Sequence, residues 1–371
     1  MKQQDKLLVV VLGMHRSGTS AITRALQVLG VDLGHRLMAP APGNNEKGFF
    51  EDLDVVNFNI ELLKACGREW SDLVPPPEGE LLSEAFAFLL PKAIELLREK
   101  LEGKDVFALK DPRFSVLLPF WLRVFEHLKL NVAYVISVRN PLSVARSLER
   151  RDQFAPERSH YLWLQHVVPS VVLTVGAPRV VVDYDRLMDD PEEQIRRIAK
   201  ALALESRLDG ERLAEFRERF LEESLRHAHF GADDPLADPL VPDPVRIAAR
   251  ALGRVSVDEL DFESSEVAEI FGNLALQIRE MAPAMACVMR SERLVEELKR
   301  SAVDQATQIE MLERDFADQR AQIDRFALAL ADRAEQIDSL RKAIAERDRQ
   351  VAVLEEVVRQ REDLIQRWSI S

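Results

Sequence analysis

The chain has 371 residues, enough for one large domain or two modest ones with a sizeable core. Its hydrophobic content of 47% excludes a disordered chain, and its net charge of -13 argues against nonspecific nucleic-acid binding. The two cysteines, Cys66 and Cys287, fit neither a disulfide framework nor a metal site, and both are predicted to be buried, reduced thiols.

An anion-binding pattern opens the chain. The apolar run Leu7–Leu12 is typical of a strand buried on both faces of a parallel sheet. The small-residue loop Gly13–Gly18 follows, and apolar residues at helical spacing predict a helix over Thr19–Leu29. The first amides of such a helix point toward a bound anion, so this segment predicts a phosphate-like ligand. The alternative is a glycine-rich turn that binds nothing.

The cation in this loop has an unusual position. Gly13 and Gly18 match the two glycines of the nucleoside-triphosphate loop G-x-x-x-x-G-K-[ST], but Thr19 replaces its lysine and Arg16 lies inside the loop. The sequence G-M-H-R-S-G-T-S resembles the 5'-phosphosulfate loop of bacterial sulfotransferases that use 3'-phosphoadenylyl sulfate (PAPS). The resemblance implies nucleotide binding by His15, Arg16, Ser17, Gly18, Thr19 and Ser20.

A second motif follows at residues 45–51. The bacterial sulfotransferases usually read N-P-K-G-[FY]-[FW]-E, which resembles Asn45 to Glu51 with Glu46 in place of the proline. The resemblance implies that Glu51 is the general base toward the acceptor. The related E-x-H-F-F-D of animal carbohydrate sulfotransferases assigns that role to Glu46 instead. Both glutamates have an alternative as helix-capping acids before the amphipathic run Val55–Leu63.

Charged residues follow the next predicted strand, Val106–Leu109. The cluster from Lys110 to Arg113 reads K-D-P-R and lies where open α/β sheets place ligands. The bacterial branch carries the same four residues, which implies that Lys110 contacts the transferring sulfonate. Asp111 and Arg113 are predicted to touch the acceptor or to support the site; the alternative is a surface ion pair between them.

The third motif lies after the predicted strand Val132–Val138. Arg139 stands at the strand end and Ser147 two turns along the following helix, so both can reach one group. Sulfotransferases use an Arg and a Ser at this spacing to bind the 3'-phosphate of PAPS. A kinase has no reason to bind a 3'-phosphate, so this pair favours a PAPS enzyme over an ATP enzyme.

The resemblance covers residues 6 to 230 and implies an α/β fold, a P-loop three-layer architecture with a central parallel sheet. Further apolar patterns predict a helix over 157–176 and a strand over 179–183. Arg226 is a weak candidate for covering the nucleotide. We place the sulfotransferase domain at residues 1–285.

The last part of the chain, residues 288–371, has a different pattern. Apolar residues recur every seven positions from Val295 to Ile365, and a second seam three residues later alternates apolar with polar residues. This heptad pattern predicts a coiled coil whose length exceeds roughly 100 Å at about 1.5 Å per residue. Its predicted role is homo-oligomerisation, as a parallel dimer, or docking to another enzyme or scaffold. A long helix folded back on the enzyme is the alternative.

Together these motifs predict a PAPS-dependent sulfotransferase that transfers the sulfuryl group to a hydroxyl or amine, with a saccharide as the expected acceptor. Arg16 and Lys110 are the predicted catalytic cations, and no metal is required. The alternatives are a P-loop kinase or NTPase, and an inactive sulfotransferase-fold scaffold acting through its coiled coil. No apolar stretch approaches the roughly 20 residues of a membrane span, and a cytoplasmic protein is expected.

Overall fold

The core of the protein is a parallel sheet. The structure is a computed structural model and describes residues 6–41, 45, 47–221 and 238–368. Its strands are β1 (Leu7–Leu12), β2 (Val106–Lys110), β3 (Asn131–Val138) and β4 (Arg179–Asp183). In the described part of the chain they pair in the order β2-β1-β3-β4, with every neighbour parallel. The predicted α/β class with a central parallel sheet is confirmed.

Helices connect and cover these strands. They are α1 (Thr19–Leu26), α2 (Leu53–Ala65), α3 (Glu78–Leu81), α4 (Leu89–Leu101), α5 (Phe114–Leu128), α6 (Pro141–Asp152), α7 (Pro156–Val172), α8 (Tyr184–Asp189), α9 (Pro191–Ala201), α10 (Gly210–Glu215), α11 (Asp243–Val255) and α12 (Ser265–Trp368). A π-helical turn, Phe216–Phe220, follows α10.

Strand β1 explains why the fold has three layers. Successive side chains of a strand point to opposite faces, and every residue from Leu8 to Leu12 is apolar. Leu8, Val10 and Leu12 belong to a core shared with α2, α4, α5, α7 and α11. Val9 and Val11 belong to a second core shared with α1, α8 and α9. A strand apolar on both faces therefore requires helices on both faces.

Local signals determine where the site-forming helices start. Asn140 caps α6 by accepting a hydrogen bond from the amide of Leu142, and Pro141 occupies the first turn. Asp52 caps α2, since its side chain accepts from the amides of Asp54 and Val55. Glu51 is consequently not the capping residue of this helix, and its carboxylate is available for another contact.

Helix α1 is shorter than the predicted Thr19–Leu29 segment. It ends at Leu26 and continues as a tighter 3-10 turn over Gln27–Leu29. Gly30 stops the turn in the left-handed conformation, with φ of 67°. Predicted helical spacing alone cannot separate an α-helix from its tightened last turn.

The chain divides into two compact units, Met1–Arg290 and Ser291–Ser371. Helix α12 starts within the first unit, where Val267, Phe271 and Leu274 are buried in the core of the α/β fold. The predicted long C-terminal helix is therefore confirmed, but it begins at Ser265 rather than near residue 288.

The cysteine prediction is half wrong. Cys66 is buried, whereas Cys287 is exposed because it lies on the solvent side of α12. Burial raises the pKa of the Cys66 thiol to about 11, which keeps it protonated and unreactive at neutral pH. In the described parts of the chain, no helix is long and apolar enough to cross a membrane.

Candidate functional site

The candidate site lies at the carboxyl edge of the sheet. Because all four strands run in the same direction, the loops that follow them meet at one edge. The Gly13–Gly18 loop follows β1, Lys110 ends β2, Arg139 follows β3 and Tyr184 follows β4. The β1 loop, the Lys110 cluster and the third motif are therefore neighbours in space.

The β1 loop depends on backbone conformations that few residues adopt. Gly13 and Gly18 have φ of 136° and 83°, and Arg16 has a φ of 68°. A Cβ at Gly13 would lie 2.4 Å from the carbonyl oxygen of Ser137, and one at Gly18 would lie 2.1 Å from the ring of Tyr184. These close approaches let the loop pack between β3 and the start of α8.

Other contacts hold the loop at both ends. The amide of Gly13 donates to Ser115 Oγ at 3.0 Å, and Ser137 Oγ donates to the carbonyl of Ser17 at 2.7 Å. These three partners are buried serines on α5, on β3 and in the loop itself. The loop is thus rigid before any ligand arrives, which lowers the entropy cost of binding.

Arg16 connects the β1 loop to the third motif. Its Nε donates to Ser147 Oγ at 2.8 Å, and a guanidinium nitrogen of Arg139 donates to the Arg16 carbonyl at 3.4 Å. The pKa of Arg16 is lowered to about 10, first by burial and then by the positive charges of Arg151 and Arg139. Burial disfavours the charged form of Arg16, and a bound anion would offset the positive charges of Arg151 and Arg139 beside it.

Two residues that follow β4, Tyr184 and Asp185, position Arg139. Its guanidinium lies 4.6 Å from the centre of the Tyr184 ring and 3.8 Å from the carboxylate of Asp185. Tyr184 and Asp185 directly follow β4, so their place at the end of a parallel strand was the signal that could have identified them.

Lys110 and Glu51 form a buried ion pair beside the β1 loop. Lys110 Nζ lies 2.6 Å from Glu51 Oε1, and the side chains are 2% and 6% exposed, so the pair is shielded from solvent. The ammonium also donates to Phe49 O at 2.9 Å and to Ser20 Oγ at 3.2 Å. Lys110 thus reaches the first turn of α1 from β2, whereas a nucleoside-triphosphate loop carries its lysine in the loop.

The 45–51 segment folds over the same turn. Asn45 Nδ2 donates to Ser20 Oγ at 2.9 Å, and Ser20 Oγ donates to Phe49 O at 3.2 Å. Phe50 has a φ of 54°, a left-handed conformation that is unfavourable for a bulky residue. This bend separates Phe50, which packs on Phe220, from Glu51, which turns to Lys110.

Burial changes the acidity of Glu51. The pKa of its carboxyl is raised above the ordinary value, mainly because burial disfavours the charged form and secondarily because Asp111 is nearby. The positive charge of Lys110 opposes this effect and keeps the carboxylate paired. A carboxylate with a raised pKa accepts a proton more readily than an exposed one.

Asp111 and Arg113 form an ion pair, as the alternative in the sequence analysis allowed, but Asp111 is completely buried. Arg113 contacts Asp111 Oδ1 at 2.9 Å, and Asn59 Nδ2 donates to the other oxygen at 2.9 Å. Trp121 Nε1 in turn donates to Asn59 Oδ1 at 2.8 Å. Both oxygens of Asp111 are therefore engaged, and its carboxylate orients Arg113.

A group of rings lies against the loop at His15. The His15 ring centre is 4.3 Å from that of Trp70 and 6.2 Å from that of His166. The Arg151 guanidinium lies 5.2 Å from the centre of the Trp70 ring. No sequence pattern connects His15 with His166, because His166 lies within α7 and resembles an ordinary core residue.

Both histidines are electrically neutral and have an unused nitrogen. Burial lowers the pKa of His166 to about 4, and burial together with Arg113 and Arg151 lowers the pKa of His15 well below its usual value. His166 Nδ1 lies 2.8 Å from Leu162 O, so Nδ1 carries the proton and Nε2 is an acceptor. Within the described residues, the buried Nε2 atoms of both histidines have no hydrogen-bond partner.

The remaining predicted residues divide into two groups. Ser17 is buried in the loop and Thr19 at the start of α1, and Ser17 Oγ has no partner among the described residues. Glu46 and Arg226 lie outside the described residues. Across the described ranges, no group of three or more His, Cys, Asp or Glu residues could hold a metal ion.

Comparisons with known proteins give the following results. No family model matches the chain. No curated protein matches it either. Among solved structures, the chain is similar to the sulfotransferase domain of the Synechococcus PCC 7002 olefin synthase, with 16% identity and a TM-score of 0.36 over 70% of this chain and 98% of that one. It is also similar to the sulfotransferase domain of the curacin biosynthetic pathway, with 15% identity and a TM-score of 0.37 over 68% of this chain and 99% of that one.

Proposed function

We propose that this protein is a sulfotransferase that moves the sulfuryl group of PAPS to a hydroxyl or amine of an acceptor. The observation that carries the proposal is the contact between Arg16 in the β1 loop and Ser147 on α6, beside Arg139. Through this contact the β1 loop and the Arg139/Ser147 pair lie side by side. A nucleotide that carries both a 5'-phosphosulfate and a 3'-phosphate requires two such adjacent anion-binding groups. A nucleoside triphosphate has no 3'-phosphate to occupy the second group.

The residues at the site fit such a donor. Arg16 lies beside two further arginines, Arg139 and Arg151, and the buried Ser17 Oγ has no partner among the described residues. We assign the 5'-phosphosulfate to the Gly13–Ser20 loop and the 3'-phosphate to Arg139 and Ser147. The donor would supply the sulfuryl group. Its 5'-phosphate would be the leaving group, with the negative charge on a phosphate oxygen.

The reaction needs a proton acceptor and fixed positive charge. The acceptor oxygen forms a bond to sulfur while the bond from sulfur to the 5'-phosphate oxygen breaks, and 3',5'-adenosine bisphosphate leaves. We assign the acceptor proton to the Glu51 carboxylate, whose raised pKa suits a general base. Lys110 and Arg16 stabilise the charge on the sulfonate and the leaving oxygen, because preorganised cations act without solvent reorganisation.

Nucleotide binding provides the first test. Calorimetry should show binding of 3',5'-adenosine bisphosphate and weaker or absent binding of ATP with magnesium. Arg16→Ala should weaken bisphosphate binding by about 10-fold or more, the effect of losing a hydrogen bond to a charged group. Arg196→Ala is the matched control, since Arg196 is exposed and pairs with Glu192 of its own helix. Tight ATP binding without bisphosphate binding would instead identify a P-loop kinase or NTPase.

Transfer of labelled sulfate provides the second test. The protein is incubated with labelled PAPS and a panel of saccharide, lipid and small-molecule acceptors, with saccharides expected to react. Activity that Arg16→Ala abolishes and Arg196→Ala preserves supports the proposal. Bisphosphate binding without turnover on any acceptor would indicate a sulfotransferase-fold scaffold.

A further inference from the structure

The second unit of the chain presents a continuous apolar stripe. It runs along α12 at every seventh residue, which we call position a of the heptad. Three residues after each of these lies position d, where every second residue is also apolar. The exposed fractions of its large apolar a residues run from 49% at Val295 to 69% at Leu330, so a single chain leaves the stripe in water. The large apolar a residues are Val295, Ile309, Phe316, Ile323, Leu330, Ile337, Ile344, Val351, Val358 and Ile365.

We propose that this stripe is the interface of a parallel, in-register, two-stranded coiled coil with a second copy of this chain. The residue types determine the number of strands. Most a residues are β-branched, as at Ile309 and Val351, and the apolar d residues include Leu312 and Leu354. β-branched residues at a with leucine at d favour two parallel strands over three or four.

Polar d residues determine the direction of the second strand. Every a residue is apolar, whereas alternate d residues are polar. The polar d residues are Gln305, Gln319, Arg333, Arg347 and Arg361. In an antiparallel pair each d residue packs beside an a residue of the partner, so every one of these side chains would face an apolar one. In a parallel pair, d packs beside d.

The same residues determine the register. In register, Gln305 meets its own copy, and the two amides can hydrogen-bond to each other. If one strand shifts by one heptad, each polar d residue faces an apolar one: Gln305 faces Leu312, and Gln319 faces Phe326 or Leu312. The buried amides then have no hydrogen-bond partners. A shift by two heptads restores the matching but loses 14 residues of overlap, because the pattern repeats every 14 residues.

Charges beside the stripe agree with this arrangement. In a parallel pair, d residues lie close to the next residue, position e, of the partner. Asp348 and Glu362 occupy e positions directly after Arg347 and Arg361, so each arginine finds a carboxylate of the second copy. Asp315 and Arg320 are five residues apart, the spacing that brings positions g and e of parallel strands together. Asp348 and Glu362 offset the repulsion at two of the three arginine pairs, whereas Arg333 is followed by Ala334.

The molar mass of the full-length protein tests the interface. Light scattering should give a mass of two chains for the unsubstituted protein. Ile337→Asp at position a should give one chain, because it places two carboxylates in the apolar seam. Leu328→Asp is the matched control: Leu328 is 73% exposed on the same helix, lies at position f away from the stripe and should leave the dimer intact.

Disulfide formation between introduced cysteines tests the direction and register of the two strands. The experiment uses a Cys287→Ser background so that the exposed native thiol does not react, and Cys66 is buried. Leu298→Cys should form a disulfide with its own copy under mild oxidation, and Ile365→Cys likewise. In a mixture of the two variants that has been unfolded and refolded together, few disulfides should join Leu298→Cys to Ile365→Cys. A mass of one or three chains, or disulfides formed mainly between the two variants, would overturn the proposal.

These readouts do not depend on catalysis. If PAPS chemistry fails while the mass and the disulfides behave as stated, the coiled-coil proposal stands and only the proposed function falls. If the protein transfers sulfate but has the mass of a single chain, the proposed function stands and the coiled-coil proposal falls.

Discussion

Glu51 and Lys110 show how one buried pair can serve two purposes. Each neutralises the other at 2.6 Å, which compensates part of the cost of burying two charges. Lys110 also contacts Ser20 in the first turn of α1, where the proposed sulfonate would bind. When an anion arrives at Lys110, Glu51 loses part of its partner's charge and becomes a stronger base.

We expect Glu51→Gln to lower kcat by a factor of about 100 or more, the usual contribution of a general base, with little change in bisphosphate affinity. The amide still accepts a hydrogen bond from Lys110 but cannot take a proton. In the unsubstituted protein, the kcat of the proposed reaction should rise with pH through a pKa above the ordinary carboxyl range. Sulfate-transfer kinetics and calorimetry measure both quantities.

Glu46→Gln is the matched comparison for this experiment. It removes the other candidate carboxylate, two residues before a glycine in the same segment. Our assignment predicts that this variant keeps its turnover. If only Glu46→Gln is inactive, the proton acceptor is Glu46, and the resemblance to the animal enzymes is the better guide.

His166 should make the protein less stable in acid. Its pKa is about 4 in the folded protein against 6.5 in the unfolded chain, so the unfolded chain binds the proton first as pH falls. Stability is complete above pH 6.5 and is lost between 6.5 and 4. His166→Gln should remove about 2 kcal/mol of the loss in unfolding free energy between pH 7 and pH 5.

Urea unfolding of both proteins at several pH values measures this difference. The variant is less stable at pH 7 because it changes a buried ring, so the informative quantity is the slope against pH. Parallel curves for the two proteins would show that His166 titrates normally. His127 is a useful control position because it is exposed near the end of α5.

At the residue scale, the sequence identified residues that follow predicted strands and missed contacts between segments far apart in the chain. Arg16, Lys110 and Arg139 could be found because each follows an apolar run that predicts a strand, and parallel strand ends meet. His166 and Trp70 could not, because their contacts with His15 join segments far apart in the chain. No local pattern reports such contacts.

Among the elements, the β1 loop is the most sensitive to change. Gly18 has a φ of 83°, and a Cβ there would lie 2.1 Å from a carbon of the Tyr184 ring. Gly18→Ala should lower the free energy of unfolding by about 2–5 kcal/mol, since left-handed strain and overpacking add. Bisphosphate binding should fall with it, because the loop and α8 must move apart.

Gly67→Ala is the control for Gly18→Ala. Gly67 has a comparable φ of 61°, but no heavy atom lies within 4 Å of a Cβ placed there. Only the backbone strain applies, at a cost of about 1 kcal/mol. Equal destabilisation of the two variants in thermal unfolding would mean that the Tyr184 contact contributes nothing.

Helix boundaries were predictable where a residue of a particular type, such as a capping side chain or a proline, begins or ends the helix. Asn140 with Pro141 starts α6, and the apolar run at Arg179–Asp183 is β4 as predicted. The start of α12 was placed too late, because the heptad pattern begins only near residue 288, whereas the helix already extends through Gly272 and Pro283 and packs against the core. Propensity is a weak signal when tertiary contacts compete with it.

For the whole molecule, the two units should unfold separately. Trp121 and Trp163 are buried in the first unit, and their near-UV circular dichroism reports its unfolding once Trp368 of the second unit is replaced by Phe. If the second unit is a dimer, about a hundredfold dilution lowers the midpoint of the helix signal but not that of the tryptophan signal. Ile337→Asp should abolish the dependence on concentration, and Leu328→Asp should keep it.

A helix signal that does not change on dilution would contradict the second copy as partner. The tryptophan signal is the internal control, since the first unit has its own core. Both signals come from the same sample, so errors in protein concentration cannot produce the difference.

The amino-acid sequence by itself determined the α/β class, the order of the motifs and the long C-terminal helix. The buried strands and the long helix follow from local periodicity, because two-sided apolar strands need cover on both faces and heptads need a helix. The α/β class was implied by the resemblance of the motifs to a known family. Only the tertiary structure decided which side chains meet. Arg16 contacts Ser147 across 131 positions, and Glu51 pairs with Lys110 across 59, because sheet order brings distant strand ends together.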